Sequence, residues 1–365
     1  MTFASGSPFF MRRALERRFE PALVIDDPWP RWFLGAKSLA TTATVGRFHA
    51  DWSPRLTALA GARTVARVRA ARPDIVFALM ASPLAHLLVD EFRVVHASDT
   101  TLHAMFGYYN SFDKFSASTR RGGEIVEAKV LRGAFLSVFA SDWARQSAIR
   151  DYGVPPAVAH DIAWGANVDN VRGAARKLPA GELRFLFNGV DWKRKGGAIA
   201  VSTIAELTRR GIPARLDVIG RTDAVMRGAP TPANVTFHGF IGKTTETGAS
   251  KFNRLYADAT FFLLPTQAEC FGISFAEAAH HGLPCIGTAT GGVPAAVRHG
   301  VTGLLLPPGA PAAAYADAIM ELTSSPPAYE AMSRAALADA AARLNWDTWA
   351  EKVATAVSKR LSGGA

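Results

Sequence analysis

Short apolar, β-branched and aromatic runs recur along this chain, separated by stretches long enough for a helix. In the first half they fall at 22–25, 74–80, 93–96 and 134–139, and in the second at 183–187, 215–219, 235–238 and 260–264. Helical patterns occupy about 55–72, 197–210, 251–257, 328–342 and 346–360. Strands alternating with helices imply parallel sheets with crossover helices, so the fold class is α/β. Residues 171–182 lose periodicity and collect Gly, Pro and charge, which marks a linker between two α/β halves.

The run at 260–264 reads as a buried strand. It leads through Pro265-Thr266-Gln267-Ala268-Glu269-Cys270-Phe271-Gly272-Ile273-Ser274-Phe275-Ala276-Glu277 into a segment suited to a helix. In an open α/β sheet, ligands lie beyond the carboxyl ends of the strands, where a helix N-terminus offers free N–H groups to an anion. Glu269 would face such a ligand from the loop, and Glu277 would reach a more distant part of it. Two acceptors spaced in this way suit a polyhydroxylated ligand with a phosphate between its ends, as in a nucleotide sugar. The plain alternative for Glu269 is helix-start chemistry, because carboxylates favour a first turn. It serves less well for Glu277, whose neighbours Phe271, Phe275 and Ala278 suggest a buried surround.

A second junction follows the run at 183–187: Asn188-Gly189-Val190-Asp191, then Trp192-Lys193-Arg194-Lys195-Gly196-Gly197. The planar fork of Arg194 and the compact charge of Lys195 are complementary tools for a diphosphate. A solvated basic turn is the competing reading, and Lys193 fits it best.

The spacing Glu269-x7-Glu277, the downstream Ala278-Ala279-His280-His281-Gly282-Leu283-Pro284-Cys285-Ile286 and Thr290-Gly291-Gly292-Val293-Pro294, and the upstream basic loop together resemble the retaining family 4 (group 1) glycosyltransferases. The motifs span 183–310. The resemblance implies the GT-B fold, two Rossmann-like doubly wound domains facing a central cleft. It divides the chain into an acceptor-side domain (1–170), the linker (171–182), a nucleotide-sugar domain (183–343) and a last helix (344–365) crossing back to the first domain. Carried over, Glu269 bonds sugar hydroxyls, Glu277 the ribose, and Arg194 and Lys195 the diphosphate. Gly6, Gly189, Gly220 with Arg221, Gly239, Phe240, Ile241, Phe271, Gly272 and Ile273 would line the donor.

In the first half, Ala4-Ser5-Gly6-Ser7-Pro8-Phe9-Phe10 resembles the family's first glycine loop, with Ser7 as N-cap and Pro8 at the first helical position. The strand that usually precedes it is curtailed to residues 1–4, which leaves the completeness of the start open. Many members place a His at the end of the strand 93–96; here the position is Asp99, a departure that puts its catalytic role in question. His96 alone reads as a satisfied core residue. His103, Tyr108 and Tyr109 line an acceptor groove or pack a helix, and both readings stand. Glu127 and Ser141 also sit where strand ends would face the cleft. Ser141 alternatively caps a helix, and the turn around Trp164 reads as structural.

Composition narrows the partners. No run approaches the ~18 uncharged residues of a bilayer span. The order of apolar and basic residues in 1–20 is the reverse of a secretory signal, so a cytoplasmic protein is expected. Two cysteines, Cys270 and Cys285, make a disulfide framework or a zinc site an unlikely design and read as small buried hydrophobes. Residues 1–180 hold 23 Lys and Arg against 16 Asp and Glu, a balance that favours anionic substrates. Weak docking at the inner face of a membrane stays open as a second reading, through the basic helix at 55–72. Nothing resembles a nucleic-acid motif. With no Asp-x-Asp and with two cations available, the expected chemistry needs neither metal nor cofactor. Its substrates would be a UDP-, GDP- or other nucleotide sugar and a hydroxyl acceptor: a saccharide, a lipid-linked glycan or a small molecule. A binding or regulatory protein that has kept the pocket and lost turnover is the alternative.

Overall fold

The computed structural model describes residues 6–169, 171, 173–220 and 232–363. The chain forms two compact units, one of residues 1–163 with 349–365 and one of 164–348. Sequence reading set the first boundary at 170; the turn from Trp164 to Asp169 groups with the second unit. The first unit carries a parallel sheet of β1 (Val76–Leu79), β2 (Val94–Ser98), β3 (Leu136–Phe139) and β4 (Ala159–Asp161), in that order. Every residue of β3, and all but the last of β2, is buried. These strands are covered on both faces, which is why their sequences run apolar without alternating. Val65 and Val68, from the helix Pro54–Ala71, pack with Leu88, Val89, Val94 and Val130 beside the sheet.

The second unit holds β5 (Leu183–Asn188), β6 (Ala214–Ile219), β7 (Val235–Phe237), β8 (Phe261–Leu264), β9 (Cys285–Thr288) and β10 (Gly303–Leu306). Their order is β10-β9-β8-β5-β6-β7, all parallel. The order reverses between β5 and β8, the kind of switch point where ligands settle in open α/β sheets. Phe185 and Phe261 stack across this pair at 5.4 Å.

Two expectations are corrected. The run 22–25 forms no strand, although Leu23 and Ile25 pack against the first core. Pro21 precedes it and Asp26-Asp27-Pro28 follows, so hydrophobic burial is satisfied without a ladder. Ser7 is not the N-cap of the first helix, Ser7–Leu15: Gly6 holds that place with φ 84°, and Ser7 is the buried first helical residue. Residues 1–4, Ser5 and Arg221 lie outside the described residues. The last helix, Trp346–Ser362, passes from one unit to the other, and Arg360 lies over the ring of Phe135 at 5.1 Å within the first.

Candidate active site

The loops after β5 and β8 lock together at the carboxyl ends of the second unit's strands. The backbone N–H of Gln267 donates to the carbonyl of Arg194 at 2.7 Å, and the Thr266 hydroxyl donates to the same carbonyl at 3.2 Å. Gly196 makes the approach possible. A Cβ there would lie 1.9 Å from the carbonyl oxygen of Pro265, and its φ of 75° is left-handed. Gly196 also opens the helix Gly197–Arg209, and Gly272 opens Ile273–His280; no side chain caps either start. The first N–H groups of a helix lack intrahelical partners, so two such starts border this region.

Charged groups from the two loops meet here. Lys195 donates from its ammonium to the carboxylate of Glu269, and both side chains are about nine-tenths buried. Arg194 lies 3.7 Å from the same carboxylate, reaches Asp191 at 3.2 Å and donates to the Ala268 carbonyl at 2.8 Å. Two cations therefore gather around one buried carboxylate.

Glu277, only 3% exposed, is served by groups the sequence reading missed. Lys243 donates to its Oε1, and the Tyr256 hydroxyl to Oε2 at 3.4 Å. Lys243 also donates to the Asn167 carbonyl at 2.8 Å, and Asn188 donates to the Tyr256 oxygen at 2.9 Å. Burial pushes the Tyr256 phenol well above its ordinary range, so it stays a donor. Lys243 stands two residues beyond Ile241, the last residue of the expected donor loop. A lone lysine in a polar loop carries no signal until its partner's burial is known.

The glycine positions draw the loops together. Gly189 donates to the Ile219 carbonyl at 2.9 Å and Gly220 to that of Gly239 at 3.0 Å. At Gly220, with φ 144°, a Cβ would fall 1.9 Å from the Gly189 oxygen. Ile241 and Phe271 are buried, whereas Phe240 is 63% exposed. Cys270 and Cys285 are buried thiols, and burial raises the Cys285 thiol above its ordinary range.

In the first unit, half-buried Asp99 directly follows β2. Its neighbour Thr101 accepts a bond from the N–H of Ala104 at 3.3 Å. His103 pairs through Nδ1 with Glu124 at 3.0 Å, and Tyr108 packs on Trp143 at 4.9 Å and Tyr109 at 5.5 Å. Ser141 accepts from Ala144 at the start of the helix Asp142–Tyr152 and so caps it. His96 is fully buried, bonded to the Ser82 hydroxyl at 3.0 Å, and held to about 4 by desolvation. Glu127 is also buried, and loss of solvent raises its carboxyl to about 7. Trp164 packs near Trp346 and Phe271, at 5.9 and 6.2 Å, as a structural residue would.

Residues 182–325 match the family model described as glycosyl transferases group 1. A D-inositol 3-phosphate glycosyltransferase of Corynebacterium diphtheriae is 27% identical over 71% of this chain and 64% of its own. One from Catenulispora acidiphila is 28% identical over 58% of this chain and 54% of its own. The chain thus spans less than two thirds of these curated relatives. Among solved structures, sucrose-phosphate synthase from Thermosynechococcus elongatus superposes with a TM-score of 0.64 at 20% identity, covering 83% of this chain and 77% of its own. Anabaena HepE, solved in complex with UDP and glucose, gives 0.61 at 19% identity, covering 84% and 82%. No helix among the described residues is long and apolar enough to cross a membrane. The chain has the GT-B fold, and its residues 182–325 are similar to the group 1 glycosyl transferases.

Proposed function

We propose that this protein is a retaining, metal-independent glycosyltransferase that moves a sugar from a nucleotide diphosphate sugar to a hydroxyl acceptor, in the cytoplasm, during bacterial glycan or glycoconjugate biosynthesis. The observation that carries the reading is the cluster of Arg194 and Lys195 around Glu269 between two helix starts. An arriving diphosphate competes with Glu269 for these cations. Once released, the carboxylate accepts hydrogen bonds from sugar hydroxyls. As the bond from anomeric carbon to phosphate oxygen breaks, negative charge grows on the departing diphosphate, where Arg194, Lys195 and the free N–H groups stabilise it. Those cations do the work a metal ion does elsewhere. In this reading Glu277, held by Lys243 and Tyr256, accepts from ribose hydroxyls.

No protein nucleophile is needed if the acceptor attacks the face the diphosphate leaves, through an oxocarbenium-like pair. Asp99 is assigned to a hydroxyl or to the positive anomeric carbon, and His103, Tyr108 and Tyr109 to the acceptor. HepE's complexes make UDP-glucose the first donor to try. Purified protein screened by thermal shift against nucleotide sugars, then incubated with the stabilising donor and an acceptor panel, tests the reading. Transfer with the donor's anomeric configuration kept in the product supports it. Binding without transfer or hydrolysis points to a nucleotide-sugar-binding regulator, and inversion overturns the retaining assignment.

A further inference from the structure

The loop that follows β2 is seated on the helix Ala117–Gly133. A Cβ on Gly123 would run into the Leu102 side chain, so the glycine lets Leu102 settle against the helix. Glu127 stands four residues on, along the same helix face. The Ser82 hydroxyl and the Leu102 backbone lie beside its carboxyl. The side chain is buried, and its Oε2 has no hydrogen-bond partner among the described residues. Ser82 in turn bonds His96 of β2 at 3.0 Å. On either side of Leu102 the loop is tied to the same helix and to the helix Asp142–Tyr152. The Thr101 and Ser147 hydroxyls meet at 2.6 Å, His103 pairs with Glu124, and the His103 N–H donates to the Tyr152 oxygen at 3.0 Å.

An ionised Glu127 would be a buried anion with one hydroxyl and one backbone group beside it. The charge that acts on it is Glu124, of the same sign; burial, helped by Glu124, outweighs Ser82 and Leu102 and raises the carboxyl to about 7. The other titratable groups packed about this helix bring no counter-charge. Desolvation keeps His96 neutral, burial lowers His86, which meets the Thr57 hydroxyl at 3.3 Å, and burial raises the Tyr152 phenol. Asp51 is paired with Lys37, and Asp151 with Arg150. Losing the proton therefore leaves an unpaired buried charge, which water can relieve if the loop lifts. We propose that Glu127 is a positioning residue: while it carries its proton the loop Asp99–Met105 stays seated on the helix, and when the proton leaves the loop opens. The closed loop binds that proton more tightly than the open one, so the closing free energy is complete below pH 4.5 and is lost as pH rises through 7. Asp99 and His103 ride on this loop, so its seating would set how an acceptor is met; that consequence rests on the proposed function, whereas the seating does not.

Amide hydrogen exchange of the full chain, read by mass spectrometry and corrected for the intrinsic rate at each pH, tests it. Protection of the segment 99–106 should fall about tenfold per pH unit between about pH 5 and 7 and level off above that, as one linked proton requires. Glu127→Gln keeps the shape and neutrality of the protonated acid, and it should hold the parent's low-pH protection throughout. Glu124→Gln should keep the parent's slope, which separates Glu127 from the His103–Glu124 pair. Should Glu127→Gln fail to fold, the parent and Glu124→Gln decide the matter. A flat parent profile, the parent's slope in Glu127→Gln, or loss of the slope in Glu124→Gln overturns the proposal. So does an equal fall of protection in β2 and β3, since the whole unit would then be opening. No donor or acceptor enters the measurement, so a failure to transfer sugar would overturn the proposed function and leave this result standing.

Discussion

Lys243, from a loop of the second unit, and Glu277, from the helix Ile273–His280, meet through ammonium and carboxylate, although they stand 34 positions apart in the sequence. The carboxylate is almost wholly buried, and the Tyr256 hydroxyl also donates to it. Lys243→Met should therefore cost about 2 kcal/mol or more in stability, because a buried charge loses its counter-ion. Glu277→Gln should cost less and mainly raise the donor's apparent dissociation constant. In a double-mutant cycle read by urea unfolding, the pair should couple by more than ~0.5 kcal/mol. Additive effects would separate the two residues functionally.

Asp99→Asn should keep the fold and the affinity for nucleotide diphosphate while lowering turnover. A carboxylate can face developing positive charge at the anomeric carbon, and a neutral amide cannot do so equally. Near-parental turnover would return Asp99 to a local structural role.

Much of this was legible because the informative residues are local. The strand-to-helix junctions at 188–197 and 264–277 lie within single stretches of chain, so motif spacing and apolar runs reveal Arg194, Lys195, Glu269 and Glu277 together. Lys243 and Tyr256 were hidden because their meaning depends on a partner distant in sequence. β4 escaped for a different reason: Ala-His-Asp is a three-residue edge strand with polar side chains, and nothing in its pattern separates it from a loop. The run at 22–25 failed in the opposite sense. Apolar residues can pack on a core without joining a sheet, and the prolines around them decided the matter.

Glu127 gives a pH test. Burial holds its carboxyl at about 7 in the folded state, against an ordinary 4.5. The folded protein binds this proton more tightly than the unfolded chain, so the associated stability is complete below pH 4.5 and is lost as pH rises through 7. His96, lowered to about 4, acts in the opposite direction between pH 4 and 6.5 and cancels when variants at Glu127 are compared. Glu127→Gln should gain on the parent by at most about 3 kcal/mol between pH 4.5 and 8, as measured by urea unfolding across that range. A difference independent of pH would contradict the buried, protonated carboxyl.

Chelation addresses the role given to the cations. Enzyme treated with EDTA and desalted should transfer sugar at its original rate. Inactivation reversed by Mg²⁺ or Mn²⁺ would mean that Arg194 and Lys195 do not suffice.

The exchange of Lys195 and Arg194 from Glu269 to a diphosphate is the centre of the account, and calorimetric titration tests it most directly. The nucleoside diphosphate of the stabilising donor is titrated into the parent, Arg194→Ala and Lys195→Ala, with transfer rates measured in parallel. Each variant should bind more weakly and turn over about a hundredfold more slowly, as expected when one charge-assisted contact to a developing anion is lost. Parental affinity and parental rate in both variants would contradict the proposed site.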